Sequence, residues 1–173
     1  MKVLIGDLFQ SKAQTLVNAV NCVGAMGKGI ALEFKKRFPK MFKDYERRCA
    51  NKEVALGRPY VYRPSRLIQN QQDQYSLFPE ENPDCDKWIL NFPTKDHWRS
   101  VSTLDSIVDG VQFLLAHYKE WGIQSLAMPS LGCGEGQLEW RVIGPMLYRY
   151  LSQMDIQVEL YAPYNTPHEE LQM

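Results

Sequence analysis

The stretch TLVNAVNCVGAMGKGIALEFKKRF, residues 15–38, decides the fold class of this chain. Its first six residues are a short apolar run that predicts a strand, and residues 21–29 form a glycine-rich loop. Apolar side chains then recur at helical spacing over residues 29–38, where we predict a helix that Pro39 ends. A strand, a loop and a helix in this order form the repeating unit of α/β proteins.

The rest of the chain continues the same alternation. Ser102 and Asp105 fit a capping box before the longest predicted helix, and Gly122 fits its end. The polar segment at about residues 69–86 predicts a flexible loop or a short accessory hairpin. We therefore expect one α/β domain over residues 1–173, with a mixed, largely parallel sheet covered by helices. Further strands are predicted at residues 2–5, 59–63, 88–92, 123–128 and 156–161, and further helices at about 41–49, 104–118 and 139–153.

The composition limits the partners and sites that the chain can have. Basic and acidic side chains number 20 each, whereas a protein that holds nucleic acid through phosphate contacts alone carries a basic excess. The four cysteines and three histidines are widely spaced, and they predict neither a metal site nor a disulfide framework. The first residues lack the apolar region of a signal peptide, and no run approaches the roughly 20 apolar residues of a membrane span. We expect a cytoplasmic protein without membrane contact.

Two glycine-rich loops, residues 21–29 and 130–136, each follow a predicted strand and precede a predicted helix. Backbone N–H groups at such positions attract anions, and glycine lets the backbone approach a phosphate closely. One such loop alone would be an ordinary turn, but two at equivalent positions favour binding of a diphosphate. A Walker loop is excluded because Gly29 follows Lys28 where Ser or Thr is needed, and the third glycine of a Rossmann fingerprint is missing.

Lys95 is the strongest single candidate for chemistry. It comes shortly after the apolar run at residues 88–92, so its amine is held in place, and a partly dry site would make it a nucleophile or a base. On spacing alone, an ordinary surface lysine is the alternative. Lys28 fits better as a counter-charge in the phosphate loop. Cys133 as a nucleophile and His97 as a base are weaker candidates, since packing or surface roles fit them as well.

Two residues at predicted strand ends fit the base of a nucleotide. Asp7 follows the first strand, where its carboxylate either accepts a hydrogen bond from an adenine amino group or forms a turn. Tyr161 ends the last strand, where its ring either stacks on a base or joins the core. The basic residues between 35 and 48 form either a solvated face or a surface that steers a polyanion.

Together these stretches resemble the macrodomain family. The matching segments are GDL (6–8), VNAVN (17–21), MGKGIA (26–31) and LGCG (131–134), in order and spacing over about residues 2–162. NFPTKDHWR (91–99) and LEW (138–140) are similar to one branch, the DarG-type DNA ADP-ribosyl glycohydrolases, which is related to the terminal ADP-ribose protein glycohydrolase. The resemblance implies a macrodomain-type three-layer α/β/α sandwich that binds ADP-ribose and uses no cofactor or metal.

The resemblance also implies roles for single residues. Lys95 would be catalytic, Asn21 would lie beside the distal ribose and share in catalysis, and the two loops would clasp the diphosphate. Asp7 would contact the adenine, and Tyr161 would lie at the adenine end of the ligand. The implied ADP-ribose-binding residues are Asp7, Leu8, Gly24, Met26, Gly27, Lys28, Gly29, Ile30, Ala31, Ser130, Leu131, Gly132, Cys133, Gly134, Glu135, Gly136 and Tyr161.

For the substrate, the resemblance implies single-stranded DNA that is ADP-ribosylated on thymine, and for the partner a DNA ADP-ribosyltransferase toxin to which this chain is the antitoxin. We expect a monomer. Gly136 stands where the protein-directed relative has an aspartate, which favours the DNA-directed reaction. Members of the branch carry a further domain, so a chain ending at Met173 is expected to be a cut-out domain or a stand-alone enzyme.

Three other functions remain open from the sequence. The same pocket would suit a hydrolase of protein-linked ADP-ribosyl esters or of O-acetyl-ADP-ribose, against which Gly136 counts. A non-catalytic reader of ADP-ribose would leave Lys95 with a structural role only. A general nucleotide- or RNA-binding α/β domain would not prefer ADP-ribose over AMP or ATP.

Overall fold

A six-stranded sheet forms the centre of the molecule. The structure is a computed structural model, and it describes residues 1–64 and 86–173. The strands are β1 (Lys2–Leu4), β2 (Thr15–Val20), β3 (Tyr60–Tyr62), β4 (Trp88–Pro93), β5 (Ser125–Met128) and β6 (Gln157–Tyr161). They lie in the order β1-β6-β5-β2-β4-β3, and every neighbouring pair is parallel except β3 and β4. The prediction of a mixed, largely parallel sheet is confirmed.

Helices cover both faces of this sheet. They are α1 (Gly29–Arg37), α2 (Pro39–Ala50), α3 (Leu104–Trp121) and α4 (Trp140–Leu151), with short 3-10 helices at Leu8–Gln10 and His168–Leu171 that the sequence did not predict. Successive side chains of a strand point to opposite faces. Leu16 of β2 therefore joins the core beneath α1 and α2, while its neighbour Val17 joins the core beneath α3 and α4. The three-layer α/β/α sandwich is confirmed.

The start of α3 differs from the predicted capping box. Thr103, not Ser102, caps the helix, since its side chain accepts a hydrogen bond from the Ser106 N–H. Ser102 is buried, and its backbone N–H donates to the carbonyl of Gly136 at 3.1 Å. Ser102 is thus tied to the second glycine-rich loop one residue before the cap, and the predicted box is wrong by one residue. Gly122 ends the helix at φ +80°, as predicted.

Strands β3 and β5 are each two residues shorter than predicted. β3 pairs with β4 only over Tyr60–Tyr62. Ile123 belongs to the turn after α3, because its N–H donates to the Tyr118 carbonyl at 3.0 Å. The polar segment at residues 69–86 lies, apart from Asp86, outside the described residues. Within the described ranges, every helix is too short or too polar to cross a membrane.

Candidate functional site

A cavity of about 540 Å³ opens at the carboxyl ends of β2, β4 and β5, which are adjacent in the sheet. Ligands of parallel α/β sheets bind at this edge, where the loops after the strands converge. Of the predicted site residues, the cavity is lined by Asn21, Gly27, Lys28, Gly29, Ile30, Ala31, Lys95, Ser130, Gly132, Gly134, Glu135 and Gly136. Both glycine-rich loops and the predicted catalytic lysine therefore share one cleft.

Seven of the predicted residues are not among those that line this cavity. The side chains of Leu8, Met26 and Leu131 are buried in the two cores. Gly24 has φ +85°, a value that favours glycine, and a side chain here would face the Cβ of Cys49. The remaining three predicted residues are Asp7, Cys133 and Tyr161.

The cavity also has lining residues that were not singled out from the sequence. They are Ala19, Val20, Ala25, Thr94, Trp98 and Pro129. Thr94 and Trp98 flank Lys95 in the segment after β4, so their position after the same strand was the available signal. Pro129 follows β5 in the same way. Ala19 and Val20 belong to β2, where their apolar character pointed only to the core.

Asn21 organises the first glycine-rich loop through its side chain. Its Nδ2 donates to the Ala25 carbonyl at 2.7 Å, and its Oδ1 accepts from the Val23 N–H at 3.1 Å. The hydroxyl of Tyr45 lies 2.6 Å from this Oδ1 and 2.9 Å from the Asn21 carbonyl oxygen. Tyr45 is fully buried, and burial raises the pKa of its hydroxyl well above the usual value, so it is a neutral donor. The amide is thereby held in one orientation at the cavity wall.

The amino end of α1 lines the cavity with Lys28, Gly29, Ile30 and Ala31. Lys28 is the N-cap residue in extended conformation, and it makes no side-chain capping bond. The first N–H groups of a helix have no partner within the helix. Side chains added at Gly27 or Gly29 would meet only open space, so both glycines leave the backbone accessible. This arrangement suits a phosphate, which helix amino ends attract through these N–H groups and the helix dipole.

The second glycine-rich loop folds tightly on itself. Gly132 has φ +77°, and its carbonyl accepts from the Leu138 N–H at 2.8 Å. A Cβ on Gly136 would lie 2.6 Å from that same carbonyl oxygen and within contact of Ser102 Oγ. Only glycine fits at position 136 without moving the loop. Gly134, in contrast, faces open space at the cavity.

Lys95 joins the segment after β4 to the second loop. Its Nζ donates to the Trp98 carbonyl at 3.1 Å and to the Glu135 carbonyl at 3.3 Å. Its backbone segment is in turn tied to the first loop, because the Cys22 N–H donates to the Asp96 carbonyl at 3.0 Å. The amine is therefore fixed at the cavity wall, between the two loops. The prediction that Lys95 is held in place is confirmed.

Cys133 does not have the surroundings of a nucleophile. Its side chain packs against the α3–α4 core, and burial raises the pKa of the thiol to about 11, although a hydrogen bond from Ser130 acts in the opposite direction. Thiols react as thiolates, so at neutral pH this group is a packing residue.

Asp7 and Tyr161 meet at the ends of β1 and β6, which pair with Leu4 opposite Tyr161. The Asp7 carboxylate caps the 3-10 helix by accepting from the Phe9 N–H at 2.9 Å. The Tyr161 hydroxyl donates to Glu159 at 2.9 Å, and burial, together with the carboxylates of Glu159 and Asp7, raises its pKa to about 12. Asp7 thus forms the turn that the sequence allowed, with its exposed side chain beside the tyrosine.

The chain belongs to the macro domain family, whose model matches residues 17–145. It is 40% identical, over 97% of its length, to the DNA ADP-ribosyl transferase-DNA ADP-ribosyl glycohydrolase fusion protein of Thermosipho africanus, and the match covers 43% of that relative. Curated relatives that match nearly all of this chain are longer proteins. The chain spans about two fifths of their length.

Two solved structures have a similar three-dimensional fold. The macrodomain of Mycobacterium tuberculosis DarG is 39% identical with a TM-score of 0.79, and the match covers 94% of this chain and 97% of that one. Thermosipho africanus DarTG, solved in complex with ADP-ribose, is 40% identical with a TM-score of 0.84, covering 98% of this chain and 43% of that one. The chain is thus similar to the macrodomains of DarG proteins.

Proposed function

We propose that the chain is a DNA ADP-ribosyl glycohydrolase that removes ADP-ribose from thymine bases of single-stranded DNA. The observation that carries this proposal is Lys95, whose amine is suspended between two backbone carbonyls at the wall of the cavity that both glycine-rich loops share. The relatives at 34–40% identity are named for this activity. A cavity of about 540 Å³ also has the size of sites that enclose a small organic ligand.

The diphosphate of ADP-ribose is assigned to the uncapped amino end of α1 and to the facing second loop. These backbone donors cost no side-chain entropy, and they hold the ligand far from the bond that breaks. Lys28 supplies a positive charge at the same place, since it lines the cavity and is exposed. The adenine is assigned to the end of the sheet where Asp7 and Tyr161 lie.

The distal ribose is assigned to Lys95 and Asn21. Hydrolysis breaks the bond between the anomeric carbon and the thymine nitrogen, adds the oxygen of water to that carbon, and returns a proton to the base. A lysine side chain offers up to three donor hydrogens, and Lys95 Nζ directs two of them to the carbonyls of Trp98 and Glu135. We assign the remaining donor position of Nζ to the leaving base. Asn21 donates one Nδ2 hydrogen to Ala25, and the other is assigned to the ribose.

The residue at position 136 counts against the alternative substrates, which are protein-linked ADP-ribosyl esters and O-acetyl-ADP-ribose. An aspartate there would need a Cβ 2.6 Å from the Gly132 carbonyl oxygen, so this loop would have to shift before it could hold a carboxylate at that point. Comparing turnover of a modified oligonucleotide with that of a glutamate-modified protein separates the two substrates. Faster turnover of the protein would reject the DNA-directed assignment.

The role of Lys95 is tested with Lys95→Ala on single-stranded DNA that carries one ADP-ribose, with products identified by mass. We expect turnover to fall by at least about 100-fold, the scale of a lost acid–base group, while the Kd for ADP-ribose stays within a few-fold. Lys28→Ala is the matched control, since it removes the other cavity lysine and should weaken binding more than turnover. Undiminished turnover in Lys95→Ala would overturn the assignment.

Two mechanisms for Lys95 are separable by trapping. If the amine attacks the anomeric carbon, the bond to thymine breaks and the base leaves with a proton; opening of the ribose ring then gives an iminium that borohydride reduces to a stable amine, and the protein gains the mass of one reduced ADP-ribosyl group. If the ammonium only moves a proton, no adduct forms. The bonds of Nζ to two carbonyls favour the second outcome.

A DNA ADP-ribosyltransferase is the partner that this activity implies, because a reaction that removes ADP-ribose requires one that attaches it. The Thermosipho africanus relative carries both activities in its name. The antitoxin role is tested by co-expression: this chain should relieve the growth arrest that such a transferase causes, and Lys95→Ala should not.

A further inference from the structure

Trp98 is a large aromatic side chain that is left half exposed at the mouth of the cavity. Its relative exposure is 50%, and it is one of the cavity's lining residues. Burial of apolar surface is favourable, so an exposed indole beside a ligand cavity is a candidate contact for whatever projects from that cavity. The role given to Lys95 uses only the backbone carbonyl of Trp98 and leaves the indole without a function.

The backbone beneath the indole is rigid. The Trp98 carbonyl accepts from Lys95 Nζ at 3.1 Å, the Arg99 N–H donates to His97 Nδ1 at 3.1 Å, and the Ser100 N–H donates to the His97 carbonyl at 2.9 Å. A stacking surface whose backbone is already ordered loses little conformational entropy when a ligand binds.

Arg99 adds a positive charge to the same surface. Its guanidinium stacks over the indole ring, with the central carbon 4.5 Å from the ring centroid, and the side chain is exposed. An aromatic ring with an adjacent arginine is the combination that binds single-stranded nucleic acid without sequence preference, through base stacking and a phosphate contact. Because the chain has zero net charge, no general basic excess is available to hold DNA, so binding must depend on local contacts such as this one.

We infer that Trp98 and Arg99 form a platform for the nucleotide next to the modified thymine, an inference that rests on the proposed function. The unpaired neighbouring base stacks on the indole, and its phosphate pairs with Arg99. The platform lies beside the Lys95 amine, so it meets the DNA where the strand leaves the bond to be cut. It makes single-stranded DNA a better substrate than the isolated modified nucleoside.

The test compares two substrates that differ only in neighbouring nucleotides: an oligonucleotide with one ADP-ribosylated thymine, and ADP-ribosyl-thymidine alone. We expect Trp98→Ala to lower kcat/KM for the oligonucleotide by about 5- to 150-fold, the range for losing one base–aromatic stack. For the nucleoside, which lacks a neighbouring base to stack, the loss in kcat/KM should be smaller, so the ratio of the oligonucleotide value to the nucleoside value should fall. Trp98→Phe should retain most of the oligonucleotide activity. Val142→Ala, an exposed apolar residue outside the cavity lining, is the control and should change neither value.

An equal loss on both substrates would overturn the platform, because it would mean that Trp98 only supports Lys95. An unchanged kcat/KM for the oligonucleotide would overturn it as well. Arg99→Ala should weaken oligonucleotide binding and reduce its salt dependence by about one phosphate contact.

Binding separates this inference from the proposed function. In the Lys95→Ala background, the modified oligonucleotide should bind more tightly than free ADP-ribose, and Trp98→Ala should abolish that gain. If no gain exists, the platform is rejected whatever the turnover. If the gain is present and depends on Trp98 but the native protein cuts neither substrate, the platform stands and the proposed function fails.

Discussion

Replacing Gly136 with alanine tests the tight packing of the second loop. The added Cβ would lie 2.6 Å from the Gly132 carbonyl oxygen and 2.8 Å from its Cα. Both distances are shorter, by about 0.7–0.9 Å, than the optimal contact distance of roughly 3.5 Å. Because the opposing atoms are backbone, a side-chain rotation cannot relieve the clash, and the loop must shift. Overpacking of this kind costs about 1–3 kcal/mol.

For a chain of this size, a loss of 1 kcal/mol lowers Tm by about 2–4 °C, so we expect Gly136→Ala to lower Tm by about 2–12 °C. Gly134→Ala is the matched control, since nothing lies within 4 Å of its added Cβ. Turnover should fall further than stability alone explains, because the shift moves the neighbouring carbonyl of Glu135, which holds Lys95 Nζ. Thermal melts and turnover of modified DNA measure both effects.

A second variant identifies the source of the clash. Ser102 Oγ is also within contact of the added Cβ, so Ser102→Ala combined with Gly136→Ala should recover part of the lost stability but not all of it. Equal melting temperatures for Gly136→Ala and Gly134→Ala would refute the reasoning. So would full recovery in the double variant, since it would show that the Gly132 backbone offers no obstacle.

Tyr45→Phe should cost about 1 kcal/mol in urea unfolding and lower turnover, because Asn21 loses its buried donor; unchanged turnover would contradict its positioning role. Thr103→Ala should lower the free energy of unfolding by about 1 kcal/mol, because it removes a helix cap. Ser102→Ala should be neutral or stabilising, because the buried Oγ of Ser102 has no hydrogen-bond partner in the part of the chain that the structure describes. The reverse order in thermal melts would show that the cap is misassigned. Cys133, with its pKa raised to about 11, should react slowly with iodoacetamide at pH 7.5 and faster as pH rises; rapid labelling at neutral pH would contradict its burial.

The sequence by itself determined the succession of strands and helices along the chain. It also indicated the edge of the sheet where the site lies. Hydrophobic periodicity is a local signal, and it located β2, β4, α1 and α3 to within a few residues. Loops after parallel strands must converge at one edge of the sheet. This geometric rule brought residues 21–29 and residues 130–136 together before any distance was known, and the family resemblance added Lys95 to them.

The tertiary structure alone decided which side chains support that site. Asn21 and Tyr45 are 24 residues apart, and Lys95 and Glu135 are 40 apart, so no local pattern links either pair. Ser102 has the chemistry of a helix cap, yet Gly136 holds its backbone one residue before the helix cap. Trp98 has the large aromatic side chain that is typical of a core residue. In the tertiary structure it is instead half exposed and lines the cavity. Such roles depend on contacts between distant segments, which form only when the sheet has assembled.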